Sequence, residues 1–393
     1  MVSQPLSLRN TFARLIHKKQ LKVIVVGNSV TNGAPIDKDR ERNPSFYVTL
    51  ENWLRDHFPE ARIEVIPKII FAMGPEVQLF RMDERVLPDK PDLVLAEFNA
   101  ANGAAHGSLD AESPWRAITE PATEGALRRL RFLLPETDCI LEMAIFKAMV
   151  DDYRAGRTPV CASFQHKLAA HYGLLYADAA AEVARRILAG EPWETYMDDG
   201  IHPSVKGYEI YGNVLTEELD RQWALFQTLP EDERVIKPHS FPAKTVHPDP
   251  WLFARFVPAY DAQTVEGFRI EQSGNVTFLS ANQAGASGCY RVPAPGRIVG
   301  MLMRYTDPCG NIEVRAGGKW IRISHRKDPK FTYGEDPMNR FYRVMFGVHG
   351  LPLALDTCEF RVSAEPETAG ACRVEIAGFM VVERPAAFDF SRP

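Results

Sequence analysis

The chain has 393 residues, 45% of them hydrophobic and 25% charged, with a formal net charge of −5. That length predicts two domains with room for a large core. The charge gives no general pull towards nucleic acid or an acidic membrane, and no apolar run is long enough to span a bilayer.

The first residues, MVSQPLSLRNTFARLIHKKQ, are basic but lack an apolar h-region and a small-residue cleavage site, so a cytoplasmic protein is expected. Residues 22–26 (KVIVV) read as a short buried strand. Residues 44–58 carry apolar side chains at helical spacing. IEVIPKII (63–70) is a second strand candidate, weakened at its centre by Pro67. A helix is expected over 75–87, with Pro75 in its first turn. PDLVLAEF (91–98) reads as a third strand. TEGALRRLRFLL (123–134) reads as a helix capped by Thr123. CILEMAIF (139–146) is a fourth strand. A helix over about 160–172, a short strand at 174–178, a helix to about 189 and a last helix over 204–225 complete the series.

Alternating strands and helices predict a parallel sheet covered by helices on both faces, with ligands at the carboxyl ends of the strands. The pattern stops near residue 228. Residues 228–250 are rich in proline and charge and read as a linker or a wrapping segment. From 251 onward, short β-rich runs punctuated by Gly, Pro, Asn and Asp predict an antiparallel β-sandwich of jelly-roll type. The expected organisation is therefore a catalytic domain over 1–227, a Pro-rich linker over 228–250 and a β-sandwich over 251–393. Trp251, Phe253, Phe256 and Tyr260 read most simply as core aromatics, with a sugar platform as the other reading.

The six cysteines (Cys139, Cys161, Cys289, Cys309, Cys358 and Cys372) form no CxxC pair, so no zinc site is expected. In a cytoplasmic chain the default is reduced, packed thiols; export would let the four in the C-terminal half pair. His166 and His171 lie around a helix end and read as surface or capping residues. Gly27–Gly33 lacks the Lys of a P-loop and the spacing of a dinucleotide fingerprint. No cofactor or metal site is expected.

Two stretches, one just after the first predicted strand and one just before the last predicted helix, hold the residue types of nucleophilic catalysis. GNSVTNG begins at Gly27, and YMDDGIHPSVKGYEIYG spans 196–212. A serine hydroxyl needs a base to take its proton, and the base needs an acid to fix its tautomer. Ser29, His202 and Asp199 supply the three. Asp199 and His202 are separated by two residues, close enough for carboxylate and imidazole to meet within one turn. That spacing favours Asp199 over Asp198. Alone, each residue has a plainer reading: Ser29 in a Gly-rich turn, His202 and the aspartates at the start of a helix.

GNSVTNG resembles the first block of the GDSL, or SGNH, hydrolases, which usually reads Gly-Asp-Ser-x-Thr-x-Gly. DGIHPSVKGY is similar to the last block, Asp-Gly-x-His-Pro. The two lie about 170 residues apart in the right order, and the resemblance covers about residues 20–225. It implies a flavodoxin-like three-layer fold and acyl-ester chemistry, with Ser29 as nucleophile, His202 as base and Asp199 as acid. It also implies an oxyanion hole from the Ser29 N–H, a block-two glycine N–H and a block-three Asn side chain. Gly74, in IIFAMGPEV, fits the glycine.

Block three departs from the usual Gly-x-Asn-Asp. In EFNAANG an ungapped match puts Ala101 at the Asn position, Asn99 at the Gly and Asn102 at the Asp. A one-residue shift makes Asn102 the oxyanion donor, with Asn99 as the alternative. The other departure is Asn28 in place of Asp. Asn28 reads as a structural turn residue beside Gly27, and Asn28→Asp is expected to cost less than about tenfold in activity, since both types accept backbone N–H groups.

The resulting expectation is a serine esterase that removes short acyl groups, acetyl above all, from a carbohydrate or other small alcohol. No nucleic-acid or membrane partner is implied. The alternatives are a polysaccharide O-acyltransferase using the same triad and a non-catalytic glycan- or protein-binding module.

Overall fold

The computed structural model describes residues 5–33, 45–101, 113–274, 276–293, 295–304, 310–323, 341–365 and 373–383. They divide into two compact units. One runs to Pro250 without Leu79–Arg81; the other comprises Leu79–Arg81 and the chain from Trp251 onward.

The first unit is built on five parallel strands, β1 (Gln20–Gly27), β2 (Arg62–Ile69), β3 (Leu93–Ala96), β4 (Asp138–Glu142) and β5 (Leu175–Ala177), in the order β2-β1-β3-β4-β5. This is the flavodoxin-like order, whose direction reverses between β1 and β3. β3, β4 and β5 are buried along their whole lengths, as strands covered on both faces must be. β2 is one of the two edge strands, which is why Pro67 is tolerated within it opposite Val25.

The helices are α1 (Arg9–His17), α2 (Phe46–His57), α3 (Pro75–Phe80), α4 (Met82–Arg85), α5 (Arg116–Leu133), α6 (Met149–Arg154), α7 (Val160–Tyr172), α8 (Ala179–Leu188), α9 (Trp193–Tyr196) and α10 (Val205–Gln227). α1, α2, α8 and α9 gather round α10, whereas α5 packs with α7. Phe12, Trp53, Phe58, Trp223 and Phe226 lock α1, the end of α2 and α10 together through ring contacts of 5.1–6.3 Å.

Two helices differ from expectation. The helix foreseen over 75–87 is broken into α3 and α4 at Arg81. α5 begins at Arg116, so Thr123 is an interior residue whose hydroxyl donates to the Thr119 carbonyl at 2.7 Å, not a cap. Pro121 lies inside this helix. It omits only one i→i−4 bond, and burial of Ile118, Ala122 and Ala126 keeps the turns around it packed.

Of the two readings of 228–250, wrapping is what is seen. Asn10 exchanges two hydrogen bonds with the Lys237 backbone, both 2.9 Å. His239 meets buried Asp138 at 2.7 Å. Arg128 donates to the Pro242 carbonyl at 3.0 Å, and the Glu124 carboxylate accepts the N–H groups of Val246 and His247.

The second unit holds two antiparallel sheets. Its strands are β6 (Ala254–Pro258), β7 (Thr264–Glu266), β8 (Arg269–Ser273), β9 (Val276–Ala281), β10 (Ser287–Arg291), β11 (Gly296–Arg304), β12 (Ile312–Ala316), β13 (Lys319–Ile323), β14 (Phe341–Met345), β15 (Thr357–Val362) and β16 (Val374–Glu383). One sheet runs β13-β12-β15-β10-β7. The other runs β14-β11-β16-β9-β8, with β6 paired to β16. Inward residues of both form one apolar core, in which the Tyr290 ring of β10 stacks on Phe379 of β16 with centroids 4.6 Å apart. Of the expected core aromatics, Trp251 is buried, Phe253 and Phe256 are half-buried and Tyr260 is exposed. Cys139, Cys161, Cys289 and Cys358 are free thiols; Cys309 and Cys372 lie outside the described residues. Among the described residues, no helix is long and apolar enough to cross a membrane.

Candidate active site

β1 ends at Gly27, and the chain turns sharply over residues 28–33. The Asn32 N–H reaches the Asn28 and Ser29 carbonyls at 3.0 and 3.1 Å, and Gly33 N–H reaches Val30 O at 3.1 Å. A Cβ on Gly27 would lie 1.9 Å from the Thr31 hydroxyl, so the turn closes only over a glycine. Ser29 is thereby set at the carboxyl end of β1, beside the β1/β3 switch point. The Tyr208 hydroxyl of α10 donates to Val30 O at 2.9 Å and holds this turn against the helix that follows His202.

The second stretch forms a small loop between α9 and α10. A Met197–Pro203 bridge closes it, with Asp198 N–H on His202 O at 2.9 Å and Ser204 N–H on Tyr196 O at 2.9 Å. Ser204 caps α10. Inside the loop, Asp199 Oδ1 accepts the N–H groups of Ile201 and His202 at 2.8 and 2.7 Å, while Oδ2 accepts from His202 Nδ1 at 2.7 Å. With Nδ1 as donor, Nε2 is the acceptor, and it lies 2.9 Å from Ser29 Oγ. Partial burial pushes the Asp199 carboxyl up, but the His202 N–H, the His202 ring and the Ile201 N–H outweigh it and hold the group below the usual aspartate value. The three residues singled out in the sequence are therefore in one hydrogen-bonded line from carboxylate to hydroxyl.

The oxyanion candidates separate. Gly74 lies in the loop after β2, which contains Ala72 at φ +57°, a strained conformation for a residue with a Cβ. A Cβ on Gly74 would sit 2.7 Å from Ala101 O and 2.5 Å from Glu76 Oε2, so the loops after β2 and β3 meet at this glycine. Gln78 of α3 donates its side-chain N–H to Gly27 O at 2.8 Å and ties that region to the nucleophile turn. Asn99 is fully buried, and its amide donates to Ala144 O at 2.7 Å and faces the Met149 sulfur at 3.6 Å. Asn102 lies outside the described residues.

Asn28 is more than a turn residue. Its Oδ1 accepts the Val30 N–H at 3.1 Å, and its Nδ2 donates to Glu97 Oε2 at 2.7 Å. Glu97 follows β3 and reads in the sequence as an ordinary polar residue ending a strand. Its other oxygen accepts the N–H groups of Asn99 and Ala100 at 2.6 and 2.7 Å. Burial pushes the Glu97 carboxyl up to about 7 despite these hydrogen bonds. The expectation that Asn28→Asp is nearly harmless is revised: the new carboxylate would face that of Glu97 across 2.7 Å.

Residues 25–210 match the model of the GDSL-like lipase/acylhydrolase family. No curated protein sequence matches the chain. Among solved structures, a two-domain esterase (CEX) active on acetylated mannans is similar at 17% identity, covering 97% of this chain and 97% of its own, with a TM-score of 0.72. The same esterase co-crystallized with mannopentaose gives 17% identity, 97% and 96% coverage and a TM-score of 0.72. These likenesses establish a shared fold over both units. Given the family match and the strand order that places Ser29 at the switch point, the chain is a carboxylic ester hydrolase carrying a GDSL-like lipase/acylhydrolase domain over residues 25–210.

Proposed function

We propose that the chain is a serine esterase that removes acetyl groups from a carbohydrate through an acyl-enzyme on Ser29. The observation that carries this reading is the line Asp199–His202–Ser29, with links of 2.7 and 2.9 Å, in a domain of acylhydrolase type. Ser29 Oγ attacks the ester carbonyl as His202 Nε2 takes its proton. Asp199 holds the ring and stabilises the imidazolium. Collapse of the tetrahedral species expels the sugar hydroxyl, which receives the proton from His202. Water then repeats the sequence on the acyl-enzyme, releasing acetate and restoring Ser29.

The Ser29 and Gly74 N–H groups are proposed as oxyanion donors, with the Asn102 side chain as the third. Asn99 is disfavoured because its amide nitrogen is held by Ala144. The carbohydrate class rests on the mannan-active esterase that shares the two-unit fold. The test is acetate release from acetylated mannan and p-nitrophenyl acetate by wild type and Ser29→Ala, with fluorophosphonate labelling of Ser29. Equal rates in both proteins and no label would overturn the reading; acylated sugar formed on adding an acceptor would redefine it as acyl transfer.

A further inference from the structure

We propose that Glu97 is a positioning residue for the nucleophile, its carboxylate locking the turn that carries Ser29 to the loop that follows β3. The inference rests on the reading of Ser29 as the nucleophile. β1 and β3 are neighbours, with Val26 opposite Ala96, so their carboxyl ends emerge side by side. The Glu97 N–H continues the ladder to Val26 O at 3.0 Å. The Glu97 side chain then joins what the strands release. Oε2 takes the Asn28 amide at 2.7 Å, and Oε1 takes the Asn99 and Ala100 N–H groups at 2.6 and 2.7 Å. One buried carboxylate thus fixes residue 28, next to the nucleophile, and residues 99–100, next to Ala101 at the Gly74 approach.

The polarity of the lock explains the departure at residue 28. The Val30 N–H can only donate, so it fixes which end of the residue-28 side chain is the acceptor. The other end faces a carboxylate and has to be a donor. Asparagine meets both demands and aspartate meets one. Asn28 and Glu97 are two halves of one arrangement, separated by 69 positions in the chain. The Asn28 amide, the Asn99 and Ala100 N–H groups and the Thr31 hydroxyl all meet this carboxylate as donors, so the arrangement suits the ionised form. The Glu97 charge is felt by Glu142 at the end of β4 and by Tyr208 and Tyr211 on α10.

The test is a double-mutant cycle of Glu97→Gln, Asn28→Asp and the double variant. The double variant keeps every donor–acceptor pair while moving the charge from 97 to 28. Each single change leaves two donors or two acceptors face to face, and kcat on p-nitrophenyl acetate is expected to fall about 30-fold with KM within about threefold. The double variant is expected to recover to within about threefold of wild type, with the acid limb of its pH profile moved. Melting temperatures should follow the same pattern, lowered in the singles and restored in the double. Singles within about twofold of wild type in kcat, or a double no better than the product of the singles, would overturn the proposal. Ser29→Ala, run alongside, separates the two ideas. If turnover survives it, the nucleophile reading fails, and additivity in the melting-temperature cycle alone then rejects the lock while non-additivity upholds it.

Discussion

Replacing Asp199 by Asn isolates the role of the acid. The amide can keep Oδ1 on the Ile201 and His202 N–H groups, so the loop should stand. Its nitrogen then faces His202 Nδ1, where a carboxylate oxygen lay at 2.7 Å. Two donors cannot meet, so the ring must carry its proton on Nε2, which can then no longer accept from Ser29. The carboxylate is also lost as partner of the imidazolium. The Asp199 side chain is 53% exposed, so screening is substantial. At about 4 Å and an effective dielectric of about 40, the charge pair is worth roughly 2 kcal/mol. The lost hydrogen bond and wrong tautomer add about 1–2 kcal/mol. Together they predict a kcat roughly 10²–10³-fold lower, at nearly unchanged KM. The assay is steady-state hydrolysis of p-nitrophenyl acetate, with thermal melts as the folding control. A folded Asp199→Asn variant within about threefold of wild-type kcat would refute the assignment. Because Asp199 is held below its ordinary value, its stabilising contribution is present above that ordinary value and is lost as pH falls through the depressed one. The variant's melting temperature should therefore approach that of wild type only in acid.

The two block-three asparagines should respond differently. Asn102→Ala is expected to lower kcat roughly 10²–10³-fold without changing the melting temperature, the cost of one oxyanion donor. Asn99→Ala strips the donor from the buried Ala144 carbonyl and is expected to cost about 1–3 kcal/mol in urea unfolding. The reverse pattern would make Asn99 the donor. At the end of β4, burial, reinforced by Glu97 and Asp178, pushes the Glu142 carboxyl well above 4.5. Its contribution to stability is then full below about 4.5 and is lost as pH rises through the raised value, so Glu142→Gln should gain on wild type from pH 6 to pH 9 in urea midpoints. A constant difference over that range would contradict the burial argument.

The strands were readable because each is a short run of apolar residues bounded by turn formers, and burial on both faces demands no more. The helix over 160–172 is equally plain, whereas α5 reads as shorter than it is because Thr123 looks like a cap in the sequence. Ser29, Asp199 and His202 could be paired because both motifs are local and their order matches the family. Glu97 could not be found that way. Buried carboxylates at strand ends look in sequence like exposed ones, and what distinguishes them is a partner far along the chain. The signal available was Asn28 itself: an amide where an acid is usual calls for a buried acceptor nearby. In the same way, periodicity could not tell a free linker from a strap, since the strap is held by backbone groups meeting Asn10, Glu124 and Arg128.

That strap determines where the gene can be cut. A fragment ending at residue 227 would remove the backbone groups that meet Glu124 and Arg128 and the imidazole that meets Asp138, leaving buried charged side chains to find water or each other. A fragment ending at Pro250 keeps them all. Expression of the α/β unit alone should therefore yield folded protein from the longer reading frame and aggregated protein from the shorter one, although the shorter contains every residue assigned to the chemistry.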